Sequence, residues 1–108
     1  MADRPIVNIV TTQCLAQDES RFNKWYNEVH IPMLMKYKGV KAVARYKTTS
    51  EKSEKPMFIA VYKFNSAKDF ENFGKSPEFA AAIAEMKQSW PQGIEIVGRA
   101  QHELIQEW

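Results

Sequence analysis

Cysteine is almost missing from this sequence: Cys14 is the only one among 108 residues. No disulfide bond can therefore form within the chain, which is compatible with a reducing compartment such as the cytosol. The N-terminal residues lack the long apolar core of a signal peptide, and the longest apolar runs are far too short to span a bilayer. We expect a cytoplasmic protein that has no membrane partner.

Motifs that bind metals or phosphate are missing as well. His30 and His102 are the only histidines, no Cys/His cluster has zinc spacing, and the acidic residues are scattered over faces expected to be wet. The glycines form neither a phosphate-binding loop nor a nucleophile elbow. We therefore expect no bound metal and no cofactor.

Neither sign of charge dominates the sequence. The 15 basic and 13 acidic residues give a net charge of +2. The one loose lysine cluster, within residues 47–55, is interrupted by Glu51 and Glu54. A nucleic-acid footprint would need basic residues gathered on one face, so we expect no nucleic-acid partner.

The composition is that of one globular domain covering residues 1–108, with 44% apolar and 26% charged residues. Four segments rich in β-branched or aromatic residues predict strands. A charged loop at residues 50–56 predicts a hairpin connection between the second and third of them. The predicted strands are residues 6–12, 40–48, 57–64 and 94 to about 105.

Helical periodicity marks two further regions. In the first, Pro32 cannot donate a backbone hydrogen bond, so we expect the helix to kink or end there before Gly39 stops the element. The second begins at Ser66, breaks at Gly74 and restarts with Pro77 at its first position. The apolar stripe of the first region comprises Phe22, Trp25, Tyr26, Val29 and Met33, and that of the restarted helix Phe79, Ile83 and Met86.

The resulting βαββαβ order predicts an α+β, ferredoxin-like domain, with a four-stranded antiparallel sheet and both helical regions on one of its faces. The third strand, residues 57–64, shows almost no polar alternation, which suits a strand buried on both faces. The other sheet face needs a cover, and sheet-to-sheet packing in a homodimer is the simplest one. We assign Ala60 to that face, although the continuous run leaves the alternation ambiguous. The tail ending at Trp108 could reach the partner.

Three segments resemble the EthD-like type of dimeric α/β-barrel protein: residues 25–32 (Trp-Tyr-Asn-Glu-Val-His-Ile-Pro), 37–40 (Tyr-Lys-Gly-Val) and 45–46 (Arg-Tyr). Proteins of that type carry a tryptophan, then a histidine followed by proline, on the first helix, and a glycine before the second strand. The resemblance implies that two sheets face each other in a barrel across a dimer. It also implies a cleft between the sheet and the helices of each protomer. The activity stays open, because the superfamily includes cofactor-free monooxygenases, polyketide cyclases, lactone isomerases, and chlorite- and haem-degrading enzymes.

Two polar residues are candidate catalytic groups. His30 lies at the margin of the first apolar stripe, and its ordinary pKa near 6.5 suits proton transfer at neutral pH. Its alternative role is structural, bonded to a backbone carbonyl that Pro32 frees. Asn8 lies in an apolar strand, where a buried amide needs a partner. It could orient a ligand oxygen or stabilise an enolate, or it could simply pair with a neighbour or face water.

Aromatic residues are the candidate substrate-binding groups. Tyr26, Tyr46 and Tyr62 could each donate a hydrogen bond to a carbonyl while the ring packs on an aromatic ligand. Trp25 and Trp90 could form the walls of an apolar pocket. Core or dimer-interface packing is the alternative for all five. Arg45 could anchor a carboxylate, but strand alternation places it on the face opposite to Tyr46, so both cannot serve one pocket.

Three functions remain open. The first is a cofactor-independent enzyme that oxygenates, isomerises or cyclises a small aromatic or polyketide-like substrate, with His30 as acid/base and Asn8 or a tyrosine holding the oxyanion. The second is a non-catalytic ligand-binding or accessory dimer of a catabolic pathway. The third is haem handling, since either histidine could be an axial ligand. In a catalyst, the His30 ring should open into the pocket, whereas in a structural role it should be bonded to backbone.

Overall fold

A computed structural model describes residues 4–50 and 52–108 and confirms the predicted element order. The strands form one antiparallel sheet in the order β2-β3-β1-β4. In those described residues, no helix has the length and apolar character needed to cross a membrane. The strands are β1 (Ile6–Cys14), β2 (Val40–Lys47), β3 (Met57–Phe64) and β4 (Ile94–Glu103), and the helices are α1 (Glu19–Trp25), α2 (Ile31–Leu34), α3 (Ala67–Gly74) and α4 (Pro77–Ser89).

The first helical region does not end at Pro32. A π-helical turn, Tyr26–His30, joins α1 directly to α2, and helical backbone continues through Pro32 to Leu34. The N–H of Ile31 bonds to the carbonyl of Tyr26, five residues back. Pro32 has no N–H to donate to the helix. The wider turn lies immediately before Pro32 and lets the helical backbone continue although that hydrogen bond is missing. Both ends of the turn, Tyr26 and His30, are buried.

The second helical region begins and restarts as predicted. The Ser66 hydroxyl accepts a hydrogen bond from the N–H of Asp69 at 3.1 Å, which caps α3. The Ser76 hydroxyl accepts one from the N–H of Phe79 at 3.1 Å, and Pro77 follows at the first position of α4. These caps set where α3 and α4 begin over the sheet.

The helix-facing side of the sheet carries the even-numbered residues of β1 and β3. Phe58, Ala60, Tyr62 and Phe64 are all buried in the core cluster with Phe22 of α1. The assignment of Ala60 to the other face was therefore wrong: Ala60 is only 2% exposed, beneath the helices. Residues 57–64 are apolar on both faces except at Lys63, so this one residue was the only indication of the phase of the strand.

The opposite side of the sheet, called here the open face, is uncovered in the single chain and has an apolar central row. Its central row is formed by four residues paired across the strands, and next to it Tyr46 is paired with Ile59. The chain then continues past β4 into an extended tail, where Ile105 and Trp108 are almost fully exposed. The four residues of the central row are Ala44, Val61, Ile9 and Ala100.

Candidate functional site

A cavity of about 160 Å³ lies between the helix-facing side of the sheet and the helices. An engineered apolar cavity of about this size, near 150 Å³, is known to hold benzene. The cavity therefore has room for one six-membered ring. Its walls are largely apolar, and helices α3 and α4 supply Phe70, Phe73, Phe79, Ile83 and Met86.

Two phenols meet at the polar end of this cavity. The hydroxyl oxygens of Tyr26, from the π-helical turn, and Tyr62, from β3, are 3.1 Å apart and buried. Burial raises the pKa of both phenols, that of Tyr62 well above its usual value. Both are therefore protonated at neutral pH. One proton forms the bond between them, which leaves the second hydroxyl proton free to be donated to a ligand oxygen.

Arg45 lies behind this pair and outside the cavity. Its guanidinium carbon is 4.2 Å from the centre of the Tyr26 ring. The same group donates to Asn27 Oδ1 at 2.9 Å and to Asn23 Oδ1 at 3.0 Å. The sequence suggested that Arg45 could anchor a ligand carboxylate. Its guanidinium lies outside the cavity and therefore cannot do so there. Its positive charge partly opposes the rise that burial causes in the pKa of Tyr26.

His30 lines the cavity and is 6% exposed. Its ring stacks on Trp25 with centroids 4.8 Å apart and meets the edge of Tyr26 at 5.0 Å. Its buried Nδ1 has no hydrogen-bond partner among the described residues, so the ring is not held by a backbone carbonyl of that part of the chain. Burial lowers the pKa of His30 to about 4, although the nearby Glu85 carboxylate opposes this. The imidazole is thus neutral at pH 7.

The Glu85 carboxylate of α4 positions the Trp25 ring, on which the His30 ring stacks. Trp25 Nε1 donates to Glu85 Oε1 at 2.9 Å, and the Ser89 hydroxyl donates to the second oxygen of the same carboxylate. Sequence reasoning placed acidic residues on wet faces and missed Glu85. Only the spacing of Glu85 and Ser89, one turn apart on a helix, could have indicated the pair.

Asn8 lies on the helix-facing side of β1, between Tyr62 of β3 and Gln101 of β4. It is buried, and its Oδ1 accepts a hydrogen bond from Gln101 Nε2 at 2.8 Å. The amide therefore pairs with a neighbour, which was the structural alternative, and it also lines the cavity. Among the residues that the structure describes, its own NH₂ group has no hydrogen-bond acceptor, so it is a second donor available to a ligand.

Two of the predicted binding residues lie elsewhere. Tyr46 is 57% exposed on the open face and does not reach the cavity. Successive residues of a strand point to opposite faces, so Tyr46 points away from the helices and Arg45 points towards them. Trp90 is buried behind Trp25, with ring centroids 6.1 Å apart, and the guanidinium of Arg21 covers its ring at 3.8 Å. Trp90 therefore belongs to the core and not to the cavity wall. The predicted residues that the structure brings together are His30, Asn8, Trp25, Tyr26 and Tyr62.

A β-bulge in β4 adds two residues that the sequence reading did not find. Thr12 pairs with Ile96 and Thr11 with Gly98, so Val97 is an extra residue. After the bulge, it is the odd-numbered side chains of β4, Arg99 and Gln101, that turn towards the helices and line the cavity. Gly98 was the available indication, because an isolated glycine within a strand often marks a bulge.

Comparison with known proteins identifies a family and a fold. The model of a family described as a domain of unknown function, DUF4286, matches residues 6–95. Among curated proteins, no sequence matches this chain.

Solved structures share the fold over nearly the whole chain. An ethyl tert-butyl ether D (EthD) family protein from Bacillus halodurans is 13% identical, covers 93% of this chain and 99% of its own, and has a TM-score of 0.67. A dimeric ferredoxin-like protein from an uncultured marine organism is 12% identical over 98% and 100% of the two chains, at a TM-score of 0.64. A hydroxynitrile lyase from Passiflora edulis is 15% identical over 98% of each chain, at a TM-score of 0.71. These structures confirm the ferredoxin-like fold predicted from the order of the elements, and the EthD-like resemblance seen in residues 25–46.

Proposed function

This chain belongs to the DUF4286 family, and from that starting point we propose that it is a homodimeric, cofactor-independent enzyme acting on a small, largely apolar ligand in the cavity. The main support for the proposal is the environment of the His30 ring. This neutral ring faces an apolar cavity, its Nδ1 lacks a hydrogen-bond partner in the described chain, and two phenols meet beside it. Buried polar groups without a partner are few in native proteins, and of the three in the described chain only His30 Nδ1 belongs to a residue that lines the cavity.

The proposed chemistry begins with removal of a proton by His30. A neutral imidazole accepts a proton from a carbon next to a carbonyl, or from a phenolic hydroxyl. The negative charge that develops on the ligand oxygen is stabilised by the free hydroxyl proton of the Tyr26–Tyr62 pair and by the amide of Asn8. Isomerisation, cyclisation and oxygenation by O₂ can each start from such an enolate or phenolate. The reaction type therefore depends on the ligand.

The homodimer is supported by the open face. Its central row is apolar across four strands, and the marine relative that shares the fold is described as dimeric. Packing the two open faces together would bury these side chains, and the exposed Ile105 and Trp108 of the tail would then lie near the partner. This second copy is the only macromolecular partner that we propose.

A non-catalytic ligand-binding protein is the second candidate. The observation that favours it is the lowered pKa of His30, about 4, because a base works best when its pKa is near the working pH. Haem handling has less support. His30 is enclosed by Trp25 and Tyr26, His102 is exposed away from the cavity, and a cavity of about 160 Å³ is too small for a macrocycle of four rings.

Exchange of deuterium into acetophenone tests the catalytic proposal. Acetophenone has one ring, and its methyl protons lie next to a carbonyl. We expect the wild-type protein to accelerate their exchange in D₂O above the buffer rate, and His30→Gln to reduce that acceleration about 100-fold, the usual effect of losing a general base. Proton NMR measures the exchange, and calorimetry should show that affinity for acetophenone changes less than about twofold.

The matched control is His102→Gln, which removes the other histidine from an exposed position on β4. It should leave the exchange rate unchanged. Binding of acetophenone by the wild-type protein without any exchange above buffer would contradict the enzyme and favour the non-catalytic binding protein.

A further inference from the structure

Arg99 is the only residue lining the cavity that carries a charge at neutral pH, among those that the structure describes. Arg99 is itself an exposed residue. Within residues 4–50 and 52–108, no carboxylate forms an ion pair with Arg99. The same lining contains neither aspartate nor glutamate. Within the lining, a bound anion would therefore meet one guanidinium and no carboxylate.

The bulge at Val97 is what places Arg99 there. Without the extra residue, the register set by Thr12 and Ile96 would pair Ala100 with Asn8 on the helix-facing side, and Arg99 would pair with Ile9 and point to the open face. Bulges of this kind re-aim side chains and are frequent beside binding sites. The bulge thus interrupts the regular pairing of β4 and places a positively charged side chain at the cavity.

The pairing across the sheet gives the order of the groups along the cavity. Arg99 lies beside Val10, and one step further along the strands Gln101 lies beside Asn8, which lies beside Tyr62. Side chains two residues apart on one strand face are separated by about 7 Å. A ring resting on Val10 can thus present one oxygen group to Arg99 and a second one to the polar end formed by Asn8 and Tyr62.

We propose that the natural ligand is a single-ring carboxylate, with its ring in the apolar cavity and its carboxylate paired with Arg99. This rests on the proposed function and names the ligand class for the same cavity. The volume of about 160 Å³ limits the buried part to one ring. A guanidinium matches a carboxylate in shape and charge, which makes Arg99 a specificity-determining residue.

Calorimetric titration with benzoate, benzamide and 2-naphthoate tests the assignment. Benzoate and benzamide have the same ring and differ in charge. We expect benzoate to bind at least tenfold more tightly than benzamide, the usual contribution of a hydrogen-bonded charge. The Arg99→Gln variant should lose this preference by weakening benzoate about tenfold while benzamide changes less than about twofold. 2-Naphthoate, with a second ring, should bind at least tenfold more weakly than benzoate.

Two controls keep the outcomes separate. Lys87→Gln removes one positive charge from the exposed surface of α4 and should leave benzoate affinity unchanged. Arg99→Lys keeps the charge and should retain part of the preference. Equal binding of benzoate and benzamide would overturn the role of Arg99 alone, and tight binding of 2-naphthoate would overturn the single-ring limit alone. If no compound binds, the proposed function fails together with the ligand class.

Discussion

Acidification from pH 7 to pH 4 should destabilise the wild-type protein by about 3 kcal/mol more than it destabilises the His30→Gln variant. His30 titrates with a pKa near 6.5 in the unfolded chain, and burial lowers the pKa to about 4 in the folded protein. The expected difference is the free energy of that shift.

The sign follows from proton binding. Between pH 6.5 and about pH 4, the unfolded chain protonates His30 while the folded protein keeps it neutral. Protons therefore favour the unfolded state throughout this range, and stability falls as the pH falls. Below about pH 4 both states are protonated and the loss levels off. Above pH 6.5 both are neutral, so the full stability is present at pH 7.

Urea unfolding at a series of pH values measures this directly. Protein concentration must be held constant, because dissociation of a dimer contributes to the apparent stability. His30→Gln is the matched control, since glutamine keeps a side chain of similar size and does not titrate, while every carboxylate is unchanged. If the two curves of stability against pH ran parallel, His30 would not be buried in its neutral form.

Val61→Glu should convert the proposed homodimer to a monomer. Val61 lies in the centre of the open face, paired with Ile9 on one side and Ala44 on the other. In a two-fold symmetric interface each substitution occurs twice, so two carboxylates would be buried without partners. Burying even one unpaired charge costs several kcal/mol, more than a contact between two small sheets can compensate.

Light scattering after size-exclusion chromatography gives the mass of the variant. Ala84→Glu, which adds the same charge on the exposed surface of α4, should remain dimeric. Ala60→Glu places the charge beneath the helices and should unfold the protein instead of dissociating it, because Ala60 is enclosed by the core. A Val61→Glu variant that stayed dimeric would show that the open face is not the interface.

The fold was predictable because each element carries its own local information. The period of three to four residues through Phe22, Trp25 and Val29 specified the first helix, and serines before Ala67 and Pro77 specified where α3 and α4 begin. The order of elements then left few topologies. The phase of β3 was indicated only by Lys63, because the rest of the strand is apolar on both faces and gives no alternation.

The candidate site was predictable where a local pattern indicated it, either the helical period of the first helical region or, for Asn8, a polar residue within an apolar strand. Tyr26 and His30 share the apolar side of the first helical region, and both line the cavity. Glu85 and Arg99 were not foreseen, since charged residues are usually solvated, and their positions depend on packing against Trp25 and on a bulge between distant strands. Such long-range register is not encoded in a local pattern.

A crystal structure of the protein with acetophenone bound would test the central claim most directly, namely that the cavity beneath the helices is the functional site. We predict that the ring lies against Phe73 and Phe79, with the carbonyl oxygen within hydrogen-bond distance of the Tyr26 hydroxyl and the methyl group facing His30. An empty cavity closed by side chains, with acetophenone bound only on the open face, would contradict it.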